Sequence, residues 1–290
     1  MVIYVTMLEK PKEEIKNKRT IDIQSQQMPK ALMLTLISIN AALYAVAISV
    51  TSPIPTPWGV GHFRPGVVIP AFFTVVFGPL IGGLGAAIGC FLGDFALSFF
   101  GLTTPILSLV AGVPGNFVGF YALGWLVAKK RSFSSFIVSN FIALLIGNFI
   151  AALGVLVYFI FIVPDWVSWS MSLQIAVVAG LTLFWVSTMV VFVTPLVPIM
   201  VTYIGPTLSK IGVKGVSNLS PSDKSSIVKS AGLVAVFLAA IYSIVSFTPG
   251  GSQIFAGTVP PEILLISAGV IFVTGLLLSL LTSKLMRNVQ

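Results

Sequence analysis

RPGVVIPAFFTVVFGPLIGGLGAAIGCFLGD, residues 64–94, reads as two apolar segments meeting at Phe77-Gly78-Pro79, with a cation opening the first and an anion closing the second. Arg64 precedes Pro79 by fifteen residues and Asp94 follows it by fifteen. An antiparallel helical hairpin with equal arms brings the two charges to one level. At 1.5 Å rise per residue each arm spans roughly 22 Å, which predicts a pair near one membrane face. A charge inside hydrocarbon costs about 2.5–3.5 kcal/mol on insertion scales and needs a partner, a cavity or an interface. Two compatible readings follow. The pair is a clamp that locks the hairpin, or Arg64 holds an anionic or polar ligand that Asp94 orients.

The rest of the chain fits such a hairpin. Of 290 residues, 57% are hydrophobic and 8% charged, with a mean hydropathy of +1.05. A soluble domain carries about 25% charged residues. The expected class is therefore all-α, a polytopic membrane helical bundle. The net charge of +8 marks membrane orientation rather than nucleic-acid binding. Cys90 is the only cysteine and His62 the only histidine, so neither an intramolecular disulfide nor a metal or cofactor site is expected.

The sequence divides into a cytoplasmic tail (1–30), a six-span membrane domain (31–204), a cytoplasmic loop (205–229) and an appended two-helix hairpin with a short tail (230–290). In the first span, 31–50, Ala41 and Ala45 lie four apart on one face. That spacing lets another helix approach closely, inside the chain or from a partner. TSPIPTPWGVGHF (51–63) contains three prolines and two glycines and reads as a lid. Gly78, Gly82, Gly85 and Gly89 form a smooth helical packing face. The span at 104–128 carries GVPGN (112–116), a kink whose freed carbonyls and Asn116 need partners within the bundle. On the next, 133–163, Asn140, Gly147, Asn148, Ala151 and Ala152 share a side that should face protein. Trp166 and Trp169, in the turn before the span at 171–204, are either interface anchors or ligand contacts. Gln174 and Trp185 lie eleven residues apart, close to one helical face.

Eight spans with the N-terminus inside leave fifteen of the sixteen Lys and Arg residues on the cytoplasmic side and Arg64 alone outside. No phosphate-binding G-x-x-x-x-G-K-[ST] loop occurs, and a histidine-based hydrolytic or zinc site would have to rely on His62. The outward-facing polar and aromatic groups are Trp58, His62, Arg64, Asp94, Trp166, Trp169 and Gln174. Asn116 and Asn148 lie deeper, about 15–20 Å from the outer helix ends. Trp and Arg flank a planar ring by stacking, and amides read its polar edge.

An alanine-spaced first span, a long first outer loop and then FGPLIGGLGAAIGCFLGD (77–94) resemble the substrate-binding S components of energy-coupling factor (ECF) vitamin transporters. The resemblance covers about residues 31–204 and implies a six-helix subunit that captures a vitamin or similar small molecule from outside. It also implies a separate transmembrane coupling protein and two ATPase subunits, in keeping with the absent nucleotide loop. By the same resemblance Ala41 and Ala45 match the face that docks on the coupling protein, and 51–63 closes over the ligand. The extra pair at 230–281 departs from the six-helix pattern. A self-sufficient ion-coupled transporter, with Asp94 as the main coupling residue, remains an alternative, and a membrane-embedded enzyme or scaffold is a weaker one.

Overall fold

The computed structural model describes residues 28–52, 64–162 and 170–247, with Val273, Leu277, Leu280, Leu281 and Lys284 beyond. In chain order α1 is Lys30–Thr51, a 3₁₀ turn covers Pro65–Val67, α2 is Val68–Phe77 and α3 is Pro79–Ser98. Then follow α4 (Pro105–Lys129), α5 (Phe133–Ile162), α6 (Met171–Lys210) and α7 (Lys224–Phe247). α1, α3, α4, α5 and α6 are long and apolar enough to cross a membrane. The protein is an all-α multi-pass membrane bundle.

The hairpin forms as the sequence requires, with one difference. Gly78 ends α2 at φ +99°, a conformation open to glycine at no steric cost, and its N–H still donates to Thr74 O at 2.9 Å. Pro79 takes the first position of α3, where no N–H is missed. The first arm is shorter than expected. Arg64 precedes a proline and is held out of the helical region at φ −131°, so helix begins only after it. Pro65–Phe77 is then about 20 Å long, too short to cross hydrocarbon alone.

The glycine face of α3 packs on α1. A Cβ at Gly89 would lie 2.7 Å from Ala41 O, and one at Gly93 would lie 2.9 Å from Ile48 Cβ. With no hydrophobic drive between helices in lipid, such close backbone approach is what holds them. Ala41 is 3% exposed in this seam, and the carbonyl of half-buried Ala45 faces Gly93. The reading of Ala41 as part of an outward coupling face is therefore corrected, because the chain's own glycines occupy that side of α1. Leu34, Ile39, Leu43, Val46 and Val50 are exposed on other sides. α4 and α5 meet as closely: a Cβ on Gly147 would lie 2.8 Å from Gly119 Cα.

The expected loop at 205–229 is shorter and more ordered than the sequence suggests. α6 continues through Pro195, Pro198 and Pro206 to Lys210, with Thr202 donating to Pro198 O at 2.8 Å. Serine and threonine hydroxyls of this kind make proline tolerable within membrane helices. The connection to α7 is then stitched to the rest of the fold. Ser217 N–H donates to Val76 O at 2.9 Å. Arg131, between α4 and α5, donates to Val75 O at 2.5 Å and to Asn218 O at 3.3 Å. These donors cap the carbonyls left open where α2 ends. Burial lowers the Arg131 pKa to about 10, which leaves it charged at neutral pH. Helix α7 lies where the first of the two appended spans is expected. The second lies outside the described residues except at Val273, Leu277, Leu280, Leu281 and Lys284, of which Leu280 packs on the core.

Candidate substrate site

Arg64 and Asp94 are brought level and joined, Nη2 to Oδ1 at 2.5 Å. The pair sits within protein, with side-chain exposures of 13% and 3%, one turn before the C-terminal end of α3. The other carboxylate oxygen, Oδ2, accepts from Ser108 Oγ at 2.7 Å and from Cys90 Sγ at 3.4 Å, and Arg64 Nη1 donates to Cys90 Sγ at 3.2 Å. Both oxygens of Asp94 are thus committed to protein donors.

Ser108 reaches Asp94 because of an irregular stretch in α4. Residues Ser108–Gly112 form a single wide π turn just ahead of Pro114. In a regular α-helix the Pro114 ring would meet the carbonyl four residues back, and the wide turn relieves it. Gly112 leaves room for the cluster, since a Cβ there would lie 2.7 Å from Cys90 Sγ and 3.3 Å from Asp94 Oδ2. Asn116 ties the turn down, donating to Gly112 O at 2.8 Å and accepting from Tyr44 Oη at 2.9 Å. Where a kink is expected at GVPGN the helix carries this wide turn, and the partners of Asn116 come from α1 and from α4 itself.

Beside this cluster is a cavity of about 300 Å³, the lower end of the range for small-molecule sites. Arg64 and Asp94 line it, with the amides of Asn116 and Asn148 and the aromatic rings of Tyr158, Phe159 and Trp185. Thr104 closes the rim, donating to Tyr158 Oη at 3.2 Å. Asn148 directs its Nδ2 to Leu144 O at 2.8 Å and to Met189 Sδ at 3.5 Å, which leaves its carbonyl oxygen to accept from a ligand. A charged fork, an amide acceptor and aromatic faces around one apolar space suit a flat ring with a polar edge.

Four of the expected site residues, Arg64, Asp94, Asn116 and Asn148, line this cavity together. Trp58, His62, Trp166 and Trp169 lie outside the described residues. Gln174 does not join them: it is half-buried in an apolar groove between α5 and α6 with Phe149, Leu153 and Ile175. Trp185, eleven residues further along α6, lines the cavity instead. Trp185, Tyr158, Thr104 and Ser108 are site residues that the sequence reading did not select. The signal for Trp185 was its depth, since fourteen residues from Met171 place it about 21 Å along α6, level with Asn148 on α5.

The fold is that of a multi-pass membrane protein, and its half-open cavity is of a size to admit a small molecule. The chain belongs to the family of the ECF-type riboflavin transporter S component, whose model matches residues 30–204. No curated protein and no solved structure gives a significant match. The family is one of substrate-binding membrane subunits for vitamin uptake rather than of enzymes.

Proposed function

We propose that this protein captures a vitamin-like molecule from outside the cell for uptake energised by separate coupling and ATPase subunits, with riboflavin the first candidate because it is the family's namesake. The observation that carries this reading is the Arg64–Asn148–Trp185 cavity within the matched region. In this reading Trp185, Tyr158 and Phe159 cover the ring faces, while Asn148 and Arg64 take its polar edge. Asp94 is a positioning residue that holds the Arg64 fork. Both of its oxygens are bonded to protein donors, which argues against a role as proton or sodium carrier, and so against the ion-coupled alternative. The Lys and Arg asymmetry supports cytoplasmic termini and an outward-opening cavity in the cell membrane.

The test is binding and uptake with the full-length protein. Purified protein should quench flavin fluorescence with one-to-one stoichiometry, and liposomes should accumulate ligand only when coupling protein, ATPases and ATP are added. Ion-driven accumulation by this chain alone would overturn the proposal.

A further inference from the structure

The end of the bundle opposite Arg64 carries an unbalanced charge. Lys129 ends α4, Lys130 and Arg131 follow it, Lys210 ends α6 and Lys224 opens α7. Among the described residues Asp223 is the one acid at this end, and it is given to Ser226 N–H rather than to a cation. The remainder of the chain offers no counter-charge. Residues 1–27 hold five Lys and Arg against four Asp and Glu, and residues 248–290 hold Lys284 and Arg287 against Glu262. Trp125 fixes the level of the patch. It is 47% exposed one turn before the end of α4, with Lys129 Nζ 3.4 Å from its ring centroid. An exposed Trp at the end of a membrane-crossing helix sits at the headgroup level, its ring against apolar chains and its N–H against water. The cations beyond it therefore stand in the layer of the lipid phosphates.

Within the patch, Lys130, Arg131 and Ser132 line an open groove with Asn218, Leu219 and Ser220 of the connection between α6 and α7. Protein contacts fix its shape. Ser220 donates to Arg131 O from its N–H at 2.8 Å and from its hydroxyl at 3.0 Å, and Phe133 N–H donates to Ser220 O at 2.9 Å. Arg131 gives one N–H to Val75 O and one to Asn218 O, which leaves three of its five donors. Its guanidinium is thus held in place before any ligand arrives, and Lys130 is exposed beside it. We infer that this groove seats the headgroup of an anionic phospholipid from the adjoining leaflet, with Lys130 and Arg131 on its phosphate. Basic pockets at the headgroup level take anionic lipids in this way, whereas a zwitterionic headgroup brings its own ammonium to the lysines. Asn218–Ser220 lie beyond residues 30–204, so the groove needs a part of this chain that the family match does not include.

The experiment uses the full-length protein in a neutral detergent. Dioleoyl phosphatidylglycerol and dioleoyl phosphatidylcholine are titrated separately, and bound lipid is counted by native mass spectrometry. One phosphatidylglycerol should be retained at least about fivefold more tightly than phosphatidylcholine, and Lys130→Gln should weaken it about fivefold, the effect of one cation near an anionic lipid. Lys130→Arg should bind as the parent does. Lys214→Gln removes the same charge outside the groove and should weaken binding less. Glycerol 3-phosphate should not displace the lipid at equal concentration. Equal retention of the two lipids overturns the inference, as does an unchanged affinity in Lys130→Gln. Equal weakening by Lys214→Gln overturns it too, because a diffuse charged belt then suffices. Displacement by glycerol 3-phosphate overturns the lipid as occupant and makes the groove a site for free phosphate esters. None of these outcomes bears on the substrate cavity, so the proposed function stands or falls separately.

Discussion

Removing either member of the Arg64–Asp94 pair should destabilise the protein, but not equally. Asp94 is 2% exposed and keeps only Ser108 and Cys90 once Arg64 is gone. Stranding a buried charge in that way costs about 3–5 kcal/mol, and Arg64→Ala should fall in this range. Arg64 is more exposed and borders the cavity, so water can take up its donors after Asp94→Ala. The loss there should be about 1–3 kcal/mol. In the double variant no charge is stranded, and it should be more stable than Arg64→Ala alone. The four proteins can be compared by denaturant unfolding in mixed micelles, with riboflavin titration on the same samples. Arg64→Ala should also cost about 1.5–3 kcal/mol of affinity, which the double variant does not regain. Strictly additive stability losses, or a larger loss for Asp94→Ala than for Arg64→Ala, would refute the stranded-charge account. A double variant that binds as tightly as the parent would leave Arg64 a clamp and nothing more.

Three further outcomes are expected. Gly147→Val should destabilise by about 1–3 kcal/mol or more in thermal unfolding, because even a Cβ there meets the backbone of Gly115 and Gly119 at 2.8 Å. Trp185→Ala should weaken ligand binding while Gln174→Ala leaves it near the parent value, since only Trp185 lines the cavity; titration of the two variants separates the two positions. Asp223 caps α7 by accepting from Ser226 N–H at 2.9 Å, and the Ser226 side chain first, with this backbone bond second, holds its pKa below the ordinary carboxylate value. Its contribution is then present above the unfolded pKa and lost as pH falls through the folded one. Asp223→Asn should flatten the acid limb of the unfolding profile, and an unchanged limb would show that the cap contributes nothing.

Composition and spacing already carried the class and the central pair. Low charge and long apolar runs leave no alternative to membrane helices, and equal spacing about Gly78-Pro79 fixes Arg64 level with Asp94 once the hairpin forms. Both follow from rise per residue and solvation, which depend on local sequence alone. The turn at GVPGN was also legible, because proline within a helix must be relieved somewhere near itself. Only the tertiary structure decided which neighbour each helix face meets. Ala41 and Ala45 carry a small-residue face whichever helix covers it, and the glycines of α3 took it. Gln174 and Trp185 lie eleven residues apart on α6, yet one lines an apolar groove and the other the cavity. Ser108 becomes a partner of Asp94 through a wide turn that a regular periodicity does not contain. Periodicity assigns a residue to a side of its own helix. What lies on that side is set by packing among helices distant in sequence, and that packing decided which polar groups surround one shared space.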